Sequence, residues 1–288
     1  MANPLLSLAA AAARWLPAPV KRLLYRLGPV SRGVRAALNR AAPAGLSETT
    51  VAGGALSGVK LWLDLQSEKD YWLGTYEPEL QQAIRDWVTL GMTVYDLGAN
   101  VGYISLMLAR QVGSTGQVFA FEPLPANQER LRANLALNPQ LRVELVPKAV
   151  AEKSGPRDFF VHASDDMGKL QGAAGRNTDY QGAIKVMATT QDDFVFLEQN
   201  PAPGLVKMDI EGGEAQAFLG MSRVLKEIRP IVLMELHGQD AAEAAWAVLQ
   251  QAGYSLHLLT HGYPEVQRVE RLNWKSYLLA KPAPTSTI

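Results

Sequence analysis

The stretch Val94-Tyr95-Asp96-Leu97-Gly98-Ala99-Asn100-Val101-Gly102 decides the fold: an apolar strand carrying an acid runs into a tight glycine turn, and a helix follows over Tyr103 to Arg110. Gly98 and Gly102 remove side chains where the chain bends sharply and approaches something closely, and Asp96 adds a carboxylate at the strand's end. The next strand, Gln117 to Phe121, runs into Glu122-Pro123. A second acid therefore lies 24 residues beyond Gly98, the separation of a ribose-binding carboxylate in a βαβ nucleotide unit. Strand, turn, helix and second acid together outweigh the bland reading of a glycine turn alone.

Two cofactors suit such a unit, a nicotinamide dinucleotide and S-adenosyl-L-methionine, and the middle of the turn discriminates between them. Asn100 stands where the dinucleotide fingerprint wants a glycine to let backbone reach a pyrophosphate. S-adenosylmethionine has no phosphate. Its ammonium and sulfonium groups favour nearby acids and carbonyls, which Asp96 and the Asn100 side chain supply.

The run DLGANVG at 96–102, with FAFEP at 119–123, NLALN at 134–138 and VKMDIEGGE at 206–214, resembles the FkbM-type methyltransferases. The resemblance spans residues 71–280. It takes in Tyr76-Glu77-Pro78-Glu79, the strand Pro230 to Leu236 with Glu235, and Tyr277-Leu278-Leu279-Ala280; the order and spacing of the motifs are far more specific than any one of them. It implies S-adenosylmethionine as methyl donor and the Rossmann-like α/β fold of class I methyltransferases, with a seven-stranded, mostly parallel sheet and helices on both faces. The departures are residues 1–50 and an insertion at 162–183, the regions that bear on the acceptor.

At 288 residues with 48% hydrophobic content, the chain can bury one full α/β core, and no second is required. The expected division is a basic amphipathic extension and linker over 1–48, then a methyltransferase domain over 49–288 that opens with a hairpin cap at 49–66. The net charge is zero, yet residues 1–40 carry seven bases (Arg14, Lys21, Arg22, Arg26, Arg32, Arg35, Arg40) and no acid. Taking those seven from 28 leaves 21 bases against 28 acids, so residues 41–288 sum to −7, which argues against a nucleic-acid partner. With no cysteine there are no disulfides, thiolate metal sites or cysteine nucleophile.

After the alanine-rich stretch Leu5 to Ala13, an amphipathic helix is expected beyond Pro17 and Pro19. Leu16, Val20, Leu23, Leu24 and Leu27 share one of its faces, with Lys21, Arg22 and Arg26 away from it. The pattern serves either a helix packed on the domain or peripheral contact of residues 15–40 with an anionic membrane. No stretch reaches 18 apolar residues, so a cytoplasmic protein, peripheral at most on the inner membrane face, is expected.

Beyond the cofactor unit, helix (126–137), strand (141–146), strand (204–210), helix (214–219), strand (230–236) and helix (241–251) alternate. Closing strands at 254–259 and 276–281, with no helix between them, suggest an antiparallel edge. In such a sheet ligands sit outside the carboxyl ends of the strands. Lys207, Asp209 and Glu211 fall there on one side of an extended strand, Gly212-Gly213 lets a ligand or backbone come close, and Glu235 and His237 share a side of the next strand. Asp209, Glu211 and His237 are the candidates to take a proton from a hydroxyl acceptor, with Lys207 and Glu235 completing the catalytic set. The plainer alternative is a Lys207 ion pair bracing carboxylates. Asp209, Glu211 and Glu235 are hard oxygen donors, but their spacing has no metal signature, and no metal is assigned.

The expected cofactor set is Glu77, Asp96, Gly98, Asn100, Gly102, Glu122, Pro123 and Ala149. Glu122 would take the ribose hydroxyls, and Lys148-Ala149-Val150 would flank the adenine. Tyr76-Glu77 would either close over the cofactor or anchor the hairpin. The insertion, rich in Gly, Asp, Asn and Gln, reads as an acceptor loop without strand or helix periodicity, in which Asp165 and Asp166 could meet polar groups. The function expected is O-methylation of a small-molecule, saccharide or lipid-linked acceptor. The alternatives are an NAD-dependent oxidoreductase and a non-catalytic membrane-attached module on the same fold.

Overall fold

A computed structural model describes residues 4–15, 28–162, 168–170, 173, 180–272 and 275–284. They fall into two units, Met1–Pro78 with Ala133–Pro139, and Glu79–Arg132 with Gln140–Ile288.

In the first unit, α1 (Pro4–Trp15) opens on a proline whose fixed φ suits a first helical turn, and α2 is Gly28–Ala41. The hairpin pairs β1 (Leu46–Thr50) antiparallel with β2 (Lys60–Asp64). Its pleat sorts the side chains: Leu61 and Leu63 are buried, and Lys60 meets Glu48 at 2.8 Å on the wet side. β1 starts at Leu46, so the boundary expected after residue 48 falls inside a paired strand; its polar Ser-Glu-Thr-Thr composition reads as linker. α3 (Lys69–Leu73) follows. The main chain of β2 is satisfied by amides of the 134–138 motif. Trp62 N–H donates to Asn134 Oδ1 (2.7 Å), Lys60 N–H donates to Asn138 Oδ1 (3.3 Å), and Asn138 Nδ2 donates to the Lys60 carbonyl (2.7 Å). The helix expected over 16–27 lies outside the described residues.

The second unit holds all but the first residue of α4 (Pro78–Trp87), β3 (Thr93–Leu97), α5 (Tyr103–Val112), β4 (Gln117–Phe121), α6 (Pro125–Ala136) as far as Arg132, and β5 (Val143–Val146). Then come β6 (Ala149–Val150), β7 (Gly155–His162), β8 (Gly168–Leu170), β9 (Tyr180–Thr189), β10 (Leu205–Met208), α7 (Glu214–Leu219), β11 (Ile231–His237), α8 (Gln239–Gln251), β12 (Tyr254–Leu258) and β13 (Lys275–Pro282). The seven-stranded sheet runs β12-β13-β11-β10-β3-β4-β5. β5, β4, β3, β10 and β11 pair in parallel, and β13 enters antiparallel between β11 and β12. From β3 the chain builds outward through β4 and β5 and only later adds β10 on the other side, so the order reverses between β3 and β10. Loops leaving the two strands part there, and their carboxyl ends frame a crevice.

A second sheet, β6-β9-β7-β8, replaces part of the expected loop at 162–183. Residues 168–170 and 180–183 are strand; residues 163–167, 171–172 and 174–179, including Asp165 and Asp166, lie outside the described set. The strand signal is weak because only one side of this sheet is apolar. Phe159, Leu170 and Val186 pack together, while Lys185 and Asp158 pair at 2.7 Å on the other side.

Aromatic rings join the main sheet to a π-helical segment at Asp193–Leu197. Phe194 lies 5.5 Å from Tyr95, 5.5 Å from Phe119 and 4.9 Å from Phe121, all near edge-to-face. The Tyr95 hydroxyl donates to the Pro201 carbonyl at 2.6 Å. Phe194→Ala should lower unfolding free energy by about 3–5 kcal/mol, read from urea denaturation; a loss below about 1 kcal/mol would show that the ring cluster is not a keystone.

Candidate active site

All but one of the expected site residues belong to the second unit, at the reversal of strand order. Lys207 and Asp96 are register partners on β10 and β3, both buried. Lys207 Nζ sits 3.1 Å from Asp96 Oδ1 and donates to the Gly98 carbonyl at 3.1 Å, while Ser105 Oγ donates to Asp96 Oδ2 at 2.5 Å. Lys207 is thus tied to the cofactor turn. Ser105 has only a faint sequence signal, a lone hydroxyl in an apolar helix.

Gly98 shows what comes close at the turn. A Cβ there would lie 1.9 Å from the Asp209 carbonyl oxygen, and its φ is +83°. The close approach is made by the protein's own β10 end, which also bonds back through Asp209 N–H to the Leu97 carbonyl at 3.0 Å. At Gly102, φ +89°, a Cβ would meet Leu131 Cδ1 at 2.2 Å.

The amide groups of the turn are consumed internally. Gly98 and Ala99 N–H donate to the Phe121 carbonyl (3.0 and 2.9 Å), and Gly102 N–H donates to the Ala99 carbonyl (2.8 Å). Asn100, itself left-handed at φ +48°, gives its N–H to Glu122 Oε2 at 2.8 Å. Glu122 Oε1 accepts from Leu124 N–H at 2.8 Å, and Gln128 Nε2 donates to the carbonyls of Glu122 (2.9 Å) and Pro123 (3.1 Å). Burial raises the Glu122 carboxyl to about 7, against the opposing pull of the Leu124 and Asn100 amides, the Asn127 side chain and the charge of Lys207. Asn127, buried beside it, had no signal of its own in the sequence. Ala149 is buried in β6.

At the ends of β10 and β11 a second group assembles. His237 is fully buried; its Nδ1 is 3.0 Å from Glu214 Oε1, its Nε2 is 2.8 Å from Glu235 Oε1, and Glu211 Oε2 lies 3.8 Å from Nε2. Glu214, buried at the start of α7, also accepts the Gly212 N–H at 3.1 Å. Glu211 is left-handed at φ +52° and only half-buried, as is Asp209. Lys275, placed opposite His237 by the antiparallel register of β13, contacts Glu235 Oε1. That partner is invisible locally, since it arrives by a pairing 38 residues down the chain.

Burial alone would push the His237 imidazole down, but the bonds from Glu214 and Glu235 and the charges of Glu214 and Asp209 outweigh it and raise the group to about 10. Burial works upward on Glu235, yet His237 and Lys275 hold its carboxyl below the usual range, and Glu235 in turn holds the Lys275 ammonium above its own. Asp209, Glu211 and His237 each bring a ligand atom within 4.8 Å of the others. Both imidazole nitrogens face carboxylates, Glu214 at Nδ1 and Glu235 at Nε2. Glu77, at φ +44°, belongs to the first unit.

A glycine turn, a strand-end acid and acids on the next two strand ends, at the switch point of a seven-stranded sheet, define the class I methyltransferase fold. The family model for the methyltransferase FkbM domain matches residues 96–256, and the chain belongs to that family. The hexuronic acid methyltransferase AglP of Haloferax volcanii is 24% identical over 165 residues, covering 57% of this chain; the chain spans 64% of that relative's length. Among solved structures, methyltransferase FkbM from Methylobacillus flagellatus is 16% identical, with a TM-score of 0.43 over 74% of this chain and 52% of that one. A precorrin-6y C5,15-methyltransferase from Geobacter metallireducens is 14% identical, with a TM-score of 0.44 over 72% and 90%.

Because the folded imidazolium is favoured, its contribution to stability should be complete below pH 6.5, the ordinary value, and fade as pH rises through about 10. Urea midpoints should fall across that window in the wild type. In His237→Gln they should change far less, from a starting stability about 3–5 kcal/mol lower, because buried carboxylates lose their cation. An equal slope in both proteins would refute the protonated histidine.

Proposed function

We propose that the chain is an S-adenosylmethionine-dependent O-methyltransferase acting on a hydroxyl of a saccharide, free or lipid-linked. The observation that carries the cofactor choice is the consumed turn: four of its N–H groups bond to Phe121, Ala99 and Glu122, leaving them unavailable to a pyrophosphate. This disfavours a dinucleotide and an oxidoreductase, and family membership points the same way. Glu122 fits the ribose hydroxyls, since an almost buried carboxylate already fixed by two amides is oriented in advance. Gly98, Asn100, Gly102 and Pro123 shape that turn, and Ala149 flanks the base. When bound, S-adenosylmethionine supplies an electrophilic methyl group.

The chain's own contribution is placement and proton removal. Asp209 and Glu211, half-buried at the mouth, are the groups suited to accept the hydroxyl proton as the new C–O bond forms. His237 does not compete for this role. Held as an imidazolium, it steadies Glu214 and Glu235 and supplies positive charge beside the acceptor, with Lys275 and Lys207 adding to it. A saccharide acceptor is supported by the likeness to AglP, whose name assigns it a hexuronic acid.

Calorimetric titration should show binding of S-adenosylmethionine and S-adenosylhomocysteine but not NADH, with Glu122→Ala weakening both by about 1–3 kcal/mol. Affinity should also drop as pH falls below about 7, where Glu122 takes up its proton, and Glu122→Gln should remove that dependence. NADH binding would overturn the assignment. In a screen of uronic acids and neutral sugars, Asp209→Asn should reduce turnover at least ~100-fold with cofactor affinity nearly unchanged. A parallel loss of both would make Asp209 a cofactor residue instead.

A further inference from the structure

We infer that α1 is a docking face for an anionic phospholipid bilayer. Its inner side is the one closed against protein: Ala13 is buried, and Leu6, Ala9 and Ala10 are half-buried. On the outer side Leu5, Leu8 and Trp15 are 40%, 69% and 77% exposed. At ~100° per residue these three fall within one arc of the helix, which also takes in Ala12 and carries no charge; the exposed Arg14 stands to its side. A helix that turns its largest apolar side chains to water has a face suited to another apolar phase.

Charge selects the occupant. Residues 1–40 carry seven bases and no acid, against −7 for the remainder. The segment's charge has one sign, so a second copy would bring like charge, whereas an anionic lipid surface answers both the apolar arc and the charge. Trp15 and Arg14 end the helix together, the exposed guanidinium 5.5 Å from the indole ring centre. An indole suits the headgroup level, and a neighbouring guanidinium reaches lipid phosphate while its stem stays in apolar contact. None of the described helices is long and apolar enough to cross a membrane, so the attachment is interfacial. The inference is independent of the methyl acceptor: it stands whether or not the saccharide is lipid-linked.

Co-sedimentation of the full-length protein with vesicles tests it. Binding is expected to phosphatidylglycerol-rich vesicles, to weaken with added salt and to be near background on pure phosphatidylcholine. Leu8→Glu with Trp15→Glu should lower the partition coefficient more than ~10-fold. Leu90→Glu, at a leucine 79% exposed in the second unit, should leave it unchanged. Should the double variant fail to fold by circular dichroism, brominated phosphatidylglycerol gives a second reading: it should quench tryptophan fluorescence in the wild type and much less in Trp15→Phe. The inference is overturned by absence of sedimentation with anionic vesicles, or by equal quenching in Trp15→Phe. It is overturned equally by a folded double variant that binds as the wild type does, or that loses only self-association in light scattering.

Discussion

Two strand ends that lie against each other organise the second unit. β3 and β10 run side by side until Gly98 passes so near the Asp209 carbonyl that no side chain fits between them. Two residues earlier on each chain segment, Lys207 and Asp96 sit in register and form an ion pair out of reach of water. Such a pair is weak evidence for stability, because desolvating both charges offsets most of their attraction. Its value is geometric. By also holding the Gly98 carbonyl, Lys207 fixes the turn on which Asn100 and then Glu122 depend. The glycine turn and the end of β10 therefore share one hinge of backbone.

From that hinge the electrostatics divide in opposite senses. Glu122 lies among neutral donors and is raised by burial, so it changes protonation near neutral pH. Glu235 is as hidden by its surroundings but faces His237 and Lys275, and stays ionised. Identical side chains at the ends of different strands in one sheet thus have different tasks, set by their company. His237 illustrates the same rule from the cationic side: the acids that enclose it outweigh its burial and raise the imidazole.

Much of the sheet was legible because parallel strands buried on both faces write themselves as short apolar runs between turn residues, and β4 and α7 have the bounds expected for them. The antiparallel closing strand was also legible, from the missing helix between β12 and β13. The second sheet was not, since β7 and β9 are apolar on one face only and are joined through a polar segment. In the site, the acids stood out as charges ending apolar runs, but alternation does not place Asp209 and Glu211: β10 stops at Met208 and Glu211 is left-handed, so both belong to the turn beyond the strand. Ser105, Asn127 and Lys275 did not stand out, because each acts through a contact set by helix facing or long-range register. Gly98 was correctly marked as a point of close approach, while its neighbour proved to be the chain itself.

The place of β13 has a consequence for how the molecule is made. It is the last of the described strands in chain order, yet it lies inside the sheet, separating β11 from β12. During synthesis on the ribosome, β11 must wait with one edge open until residues 275–282 have emerged, and β12 has no partner in the sheet at all. The nascent chain therefore carries unpaired strand edges late into translation, where chaperones and aggregation compete for them. The same insertion delivers Lys275 to Glu235, so the charge balance around His237 is completed by the step that closes the sheet.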